Sequence, residues 1–255
     1  MATPTPTAAE GTDATRRMPM QSPERLRRAT WLLELYRSAL GKKYVMAVTG
    51  IYLMAWITGH VIGNFKIFLS AESFDHYSEW LRVGLGVPIL PETVTLWIIR
   101  ILLIVAFALH IHAAYALTVI NRRARPDAYE SKRDYVAADF AARTMRWTGV
   151  IVGLYVLFHL ADLTWGYVNP AFEHGEVYNN TVSSLQRWPV ALFYILATLA
   201  LAYHLYHGAW SLFQSLGINK PRFNHWRRIF AIAFAAFIAV GFISVPAAVW
   251  AGVVS

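Results

Sequence analysis

Six of the nine histidines lie inside long apolar stretches, at positions where a membrane helix would otherwise carry leucine or valine. They are His60, His110, His112, His159, His204 and His207. A polar side chain inside a membrane span is costly and usually has a function. Neutral imidazole is a good metal ligand, and the plainer interpretation is hydrogen bonding between helices. The histidines therefore predict either a metal-containing cofactor or a set of interhelical hydrogen bonds.

The apolar residues around them form five stretches, each long enough to cross a membrane. Hydrophobic residues make up 56% of the 255 residues and charged residues 15%, which is not the composition of a soluble domain. A helix needs about 20 residues to cross about 30 Å of hydrocarbon. The predicted fold is an all-α bundle of five transmembrane helices. We place these helices at Tyr44–Leu69, Val94–Ile120, Met145–Val168, Pro189–Leu216 and Arg228–Ala251.

The distribution of lysine and arginine predicts the orientation of the bundle. Eight of these residues precede the first span, seven follow the second and four follow the fourth, whereas the two remaining loops are poor in basic residues. The positive-inside rule then places the N-terminus in the cytoplasm and the C-terminus outside. We divide the chain into a disordered, Thr- and Pro-rich segment 1–24 without a signal peptide, a basic interfacial segment 25–43 and a five-helix domain 44–255.

In this topology four histidines lie at two depths. His60 and His159 come late in spans that run outward, and His112 and His204 come late in spans that run inward. The two levels are about 10 Å apart at the rise of an α-helix. Two histidines at each of two depths, from different helices, match two bis-imidazole haems. His110 points away from His112, and His207 shares a face with His204, so the inner level contains two spare histidines.

Five segments resemble a known family. These segments are "RSALGKKYVMAVTG", "TGHVIGNFKIF", "SFDHYSEWLR", "HAAYALTVINRRA" and "YHLYHGAWSLFQSLGINKP". They resemble the cytochrome b membrane-anchor subunit of succinate dehydrogenases and fumarate reductases, in its five-helix, two-haem form. The resemblance extends from about Ser38 to Arg228, and the order and spacing of the segments agree with it.

The resemblance implies two b haems and a quinone substrate, expected to be menaquinone. It also implies two partners, a flavoprotein with the dicarboxylate site and an iron–sulfur protein, in a bacterial cytoplasmic membrane. Carried over by position, His60 and His159 are the axial ligands of the outer haem, and His112 and His204 those of the inner haem. His110 and His207 are departures from the family pattern.

Three other residues are candidates for the site. Arg100, inside the second span, either extends to the outer interface or pairs with a propionate of the outer haem. Asp162, one turn beyond His159, is either a hydrated carboxylate or a proton-exchanging group for quinone at the outer side. Ser38, with Lys42 and Lys43, lies at the inner surface, where it would line a quinone site or dock the iron–sulfur partner.

Three alternatives remain open. The first keeps the complex but replaces one or both haems by a histidine-ligated iron–sulfur centre; its cysteines would come from a partner, because this chain has none. The second is a haem-free scaffold, and the third is a transporter with a histidine proton relay. The basic loops lack the pattern of a nucleic-acid-binding fold, and contact with anionic lipid and soluble subunits accounts for them.

Overall fold

The computed structural model describes residues 31, 33–124, 138–218 and 220–255, with side chains described from 144 onward in the third span. Seven α-helices of nine or more residues are present in this part of the chain. They are α1 (Ala39–Asn64), α2 (Ala71–Glu79), α3 (Val94–Arg123), α4 (Ala138–Leu163), α5 (Val177–Gln186), α6 (Trp188–Ser215) and α7 (Asn224–Trp250). The disordered segment predicted at 1–24 lies outside the described residues, as do residues 25–30 and 32 of the interfacial segment.

Five of these helices are long and apolar enough to span a membrane, namely α1, α3, α4, α6 and α7. The prediction of five membrane helices is therefore confirmed for the described residues. The first begins at Ala39 rather than at Tyr44. Its N-cap is Ser38, whose hydroxyl accepts a hydrogen bond from the Gly41 amide at 2.9 Å. Because Ser38 caps α1, this helix begins before the apolar stretch that starts at Tyr44.

The spans pack in two pairs, α1 against α3 and α4 against α6, and α7 packs along α6 and also meets α1. At Gly241 of α7, an added Cβ would lie 2.3 Å from Cγ2 of the fully buried Val61. Glycine therefore lets α7 approach α1 closely. The fifth span thus packs against the other spans of the bundle. Extensive backbone contact between α1 and α4, or between α3 and α6, is not found in the described part.

A small cap covers one end of the bundle. Helices α2 and α5 lie there, and the Asp75 carboxylate accepts a hydrogen bond of 2.8 Å from the Tyr178 amide, joining the two helices. Phe74, Val182 and Val249 pack together beneath them in a buried apolar cluster. We call α2, α5 and this cluster the cap.

Most side chains of the spans are exposed in the isolated chain. In the most apolar 18 residues of α7, 33% of the residues are buried, and in those of α4 0% are buried. Tryptophans at the span ends are also exposed, which fits interfacial anchoring. Examples are Trp97, Trp165, Trp188, Trp226 and Trp250. The exposed faces are of the kind that lipid or partner chains cover.

Candidate cofactor site: two histidine pairs

The first histidine pair lies nearer the cap. The rings of His60 on α1 and His159 on α4 have centroids 6.0 Å apart and planes at 85°. Trp56 stacks on His60 at 4.9 Å, and Phe242 of α7 lies 5.6 Å from the same ring. Two aromatic rings thus hold His60 in place. The structure brings together the two histidines that the sequence predicted as one pair.

The second pair lies toward the other end of the bundle. His110 on α3 and His204 on α6 have ring centroids 6.5 Å apart and planes at 65°. Thr49 of α1 lies 3.1 Å from His110, and Thr148 of α4 lies 3.4 Å from His204, each measured from Oγ1 to Nδ1. Eleven residues of α1 separate Thr49 from His60, a rise of about 16 Å, so the two pairs lie farther apart than the 10 Å expected.

The structure does not bring His112 opposite His204. The His112 ring is exposed and stacks on Tyr36, whose hydroxyl is hydrogen-bonded to its Nδ1. Two residues on a helix point about 200° apart, so only one of His110 and His112 reaches the bundle interior. The expected pairing of His112 with His204 is replaced by that of His110 with His204. His207 is half-buried, one turn beyond His204 on α6.

The ring separations fit a metal ion held between two imidazoles. Rings that bind one ion on opposite sides through bonds of about 2 Å have centroids roughly 6 Å apart. Rings that share a tetrahedral ion would lie closer, at about 5 Å. Within the described residues no group of three or more His, Cys, Asp or Glu could hold a metal. Each pair would supply two imidazole ligands to one ion.

Hydrogen bonds indicate which ring nitrogen is available. The Thr49 hydroxyl donates to the Val45 carbonyl at 2.7 Å, so its oxygen is left to accept from Nδ1–H of His110. The Thr148 hydroxyl donates to the Met145 carbonyl at 3.0 Å and accepts in the same way from His204. With the proton on Nδ1, the Nε2 lone pair of each ring is free to bind a metal.

The glycines of the first and third spans make room around the rings. A Cβ at Gly50 would lie 3.7 Å from His110, and one at Gly149 would lie 3.4 Å from His204. Gly153, on the same face of α4 as Gly149, has nothing within 4 Å. A Cβ at these three positions would therefore meet no backbone of a neighbouring helix. They border histidine rings or open space, as a cofactor between the helix pairs requires.

A buried charged cluster lies between His159 and the cap. Asp162 is 0% exposed, and it accepts from Arg187 Nη2 at 2.6 Å, from the Tyr194 hydroxyl at 2.9 Å and from the Ser184 hydroxyl. The Tyr194 hydroxyl also lies 3.4 Å from Nδ1 of His159. The alternative that Asp162 is a hydrated carboxylate is wrong, because it has protein partners and no exposed surface.

The other predicted candidates are near the ends of the spans. The Arg100 guanidinium lies over the Trp97 ring at 5.3 Å, and its side chain is exposed. Ser38 caps α1, as described above, and its hydroxyl donates to the Leu35 carbonyl at 2.6 Å. Lys42 is 8% exposed and donates to the backbone carbonyls of Tyr36 and Arg37. Lys42 thereby ties the chain before α1 to the first turn of that helix.

Sequence reasoning missed the hydroxyl groups beside the histidines. Two of these hydroxyl groups, those of Thr49 and Thr148, lie in a sequence repeat that could have identified them. The repeat, Met-x-x-Thr-Gly, occurs at 46–50 and again at 145–149. In both copies a histidine follows the glycine by ten residues, at His60 and His159. The repeat predicts that Thr49 and Thr148 occupy equivalent places in α1 and α4. Tyr194 and Arg187 carry no such signal, since their contacts depend on how α4 and α6 pack.

A comparison with family models found a match in the second half of the chain. Residues 140–243 match the model of the succinate dehydrogenase/fumarate reductase transmembrane subunit. The matched stretch is 104 of the 255 residues, less than half of the chain. It includes α5, α6, His159 and His204, and it agrees with the resemblance found in the sequence. Neither curated proteins nor solved structures gave a significant match.

Five helices that are long and apolar enough to span a membrane, together with this match, indicate a multi-pass membrane protein.

Proposed function

We propose that this chain anchors a flavoprotein and an iron–sulfur protein to the membrane and carries electrons between the iron–sulfur partner and a membrane quinone. The dicarboxylate site of the enzyme would lie on the flavoprotein. One observation carries the proposal: two histidine pairs, at two levels of the bundle, join helices that otherwise have little backbone contact. The family match within the same chain gives the class of complex.

Two b haems fit the two pairs. His60 and His159 would hold one haem, and His110 and His204 the other, each through Nε2. Haem supplies one-electron transfer when it is bound. The residues of this chain orient the rings through Thr49, Thr148 and Tyr194 and enclose them in apolar helices. His110 thus takes the place that the resemblance gave to His112.

The basic end of the bundle would face the cytoplasm and the soluble partners. Arg122 and Arg123 at the end of α3 and Arg222 and Arg228 near the start of α7 are exposed there. Their charge suits both the positive-inside rule and docking on acidic surfaces. The cap would then lie on the outer side of a bacterial cytoplasmic membrane. The quinone, expected to be menaquinone, would react at the end nearer the cap.

The ring geometry favours haem over the iron–sulfur alternative. Centroid separations of 6.0 and 6.5 Å suit two ligands on opposite sides of one metal better than two ligands of a tetrahedral iron. The alternative also needs every cysteine to come from a partner.

Single histidine substitutions test the proposal. We expect the wild-type complex to bind two haems per chain and the variant His110→Ala to bind one. The matched control His112→Ala should retain both, because its ring lies against Tyr36 and outside the pair. Haem is measured per chain in the purified complex. Two haems in His110→Ala together with one in His112→Ala would contradict the assignment.

A further inference from the structure

The cluster around Asp162 extends from a charged group to a proposed metal ligand. Arg187 is 29% exposed, whereas the Asp162 side chain that it binds is fully buried. Arg187 also donates to the Val168 carbonyl at 2.7 Å and to Ser184 Oγ at 3.0 Å. The guanidinium is therefore held in one position, and the carboxylate that it neutralises is held with it.

The direction of each hydrogen bond in the cluster follows from the chemistry of the groups. An ionised carboxylate accepts hydrogen bonds and donates none. The Tyr194 hydroxyl has one hydrogen, and at 2.9 Å that hydrogen goes to Asp162. The Tyr194 oxygen is then left to accept, and the group 3.4 Å away is Nδ1 of His159. The chain of contacts therefore places the proton of His159 on Nδ1 and leaves Nε2 for the metal.

In the part of the chain that the structure describes, the hydrogen bonds behind the ligands of the second pair end on neutral groups. The hydroxyls of Thr49 and Thr148 donate to backbone carbonyls, which are neutral. Three of the proposed ligands, His110, His159 and His204, have a hydroxyl partner. Among them, and within the described residues, the His159 ring alone is linked to a carboxylate through that partner. The Tyr194 oxygen is a stronger hydrogen-bond acceptor because its own hydrogen is donated to a carboxylate. A stronger hydrogen bond from Nδ1–H of His159 makes its Nε2 a more basic metal ligand.

We propose that Asp162 and Tyr194 are positioning residues that hold His159 in its metal-binding tautomer and lower the midpoint potential of the haem at the His60–His159 pair. The inference rests on the proposed function, because it concerns the haem assigned there. A more basic axial ligand stabilises the ferric form over the ferrous form, so reduction by one electron becomes less favourable. Neither residue needs to contact substrate for this effect.

The variant Tyr194→Phe tests the proposal. It keeps the ring and the Asp162–Arg187 ion pair but removes the oxygen between Asp162 and His159. In a redox titration of the purified complex, one haem should shift to a higher midpoint potential while the other stays unchanged. The haem that shifts should be the one retained in His110→Ala.

The matched control is Tyr155→Phe. The Tyr155 ring packs 5.8 Å from His159 and 5.3 Å from Tyr194, and no hydrogen bond joins it to His159 within the described residues. This variant should leave both potentials as in the wild type. The second variant, Asp162→Asn, should shift the same haem upward as Tyr194→Phe does.

An unchanged or lowered potential in Tyr194→Phe, with both haems bound, would overturn the role of Asp162 and Tyr194 and leave the proposed function intact. An equal shift in Tyr155→Phe would also overturn it, because loss of packing alone would then explain the change. A wild-type complex without haem would overturn the proposed function itself, and this inference with it.

Discussion

At the scale of single residues, a hydroxyl group orients three of the four proposed ligands. Thr49, Thr148 and Tyr194 each lie within 3.4 Å of an imidazole Nδ1. Groups of this kind fix the tautomer and the ring orientation of a metal-binding histidine, and their loss typically lowers metal affinity about 10- to 100-fold. The site is thus built from ligand and hydroxyl together.

Thr49→Val should weaken haem binding at the His110–His204 pair. It replaces the hydroxyl by a methyl group of similar size and leaves Nδ1 of His110 without its partner. We expect about 10- to 100-fold weaker binding at this pair, measured as haem transfer to excess apomyoglobin. Thr58→Val is the control, because its hydroxyl also donates to a backbone carbonyl of α1, at 2.8 Å to Met54. Equal haem loss from both variants would contradict the role of Thr49.

The sequence predicted that His60 lies beside His159, and the structure shows these rings together. For the partner of His204 the sequence chose His112, whereas the structure places His110 there. Helical periodicity showed that only one of the two could face the interior, and the positional match to the family selected the other one. The choice depends on the rotation of α3 against α1, where Gly50 and Thr49 meet His110. A single sequence does not define that rotation.

At the scale of helices, the apolar stretches define the elements, and small residues define how closely they pack. The predicted spans agree with the structure to within a few residues at most ends, since lipid requires about 20 apolar residues whatever the neighbours are. Helix α5 (Val177–Gln186) was not predicted. It is short and polar, and it depends on contacts with α2 and the bundle.

Gly241→Ala should destabilise the packing of α7 on α1. The new Cβ would lie 2.3 Å from Cγ2 of Val61, which is fully buried and has no room to move. Overpacking of this kind costs about 1–3 kcal/mol, and we expect a lower melting temperature in detergent. Gly59→Ala is the control, because a Cβ there meets nothing within 4 Å. A melting temperature unchanged in Gly241→Ala, or lowered equally in both variants, would contradict this packing.

At the scale of the whole molecule, the bundle separates two ends with different properties. One end carries exposed basic residues, and the other carries the cap and the Asp162 cluster. The two histidine pairs lie between them, about 16 Å apart by the rise of α1. The number of lysines and arginines in each loop predicted which end of the bundle is basic, because membrane topology depends on that number. The internal ion pair of Asp162 with Arg187 was not predicted, since it forms only when α4 meets α6.

The central claim is that the two pairs hold two haems, and the most direct measurement is the haem content of the purified wild-type complex. We expect a dithionite-reduced minus oxidised spectrum of b type, with two haems per copy of this chain by pyridine haemochrome. The same sample should show no iron–sulfur signal assigned to histidine ligands of this chain. A spectrum without b haem, or one in which a histidine-ligated iron–sulfur centre accounts for the membrane subunit, would contradict the account.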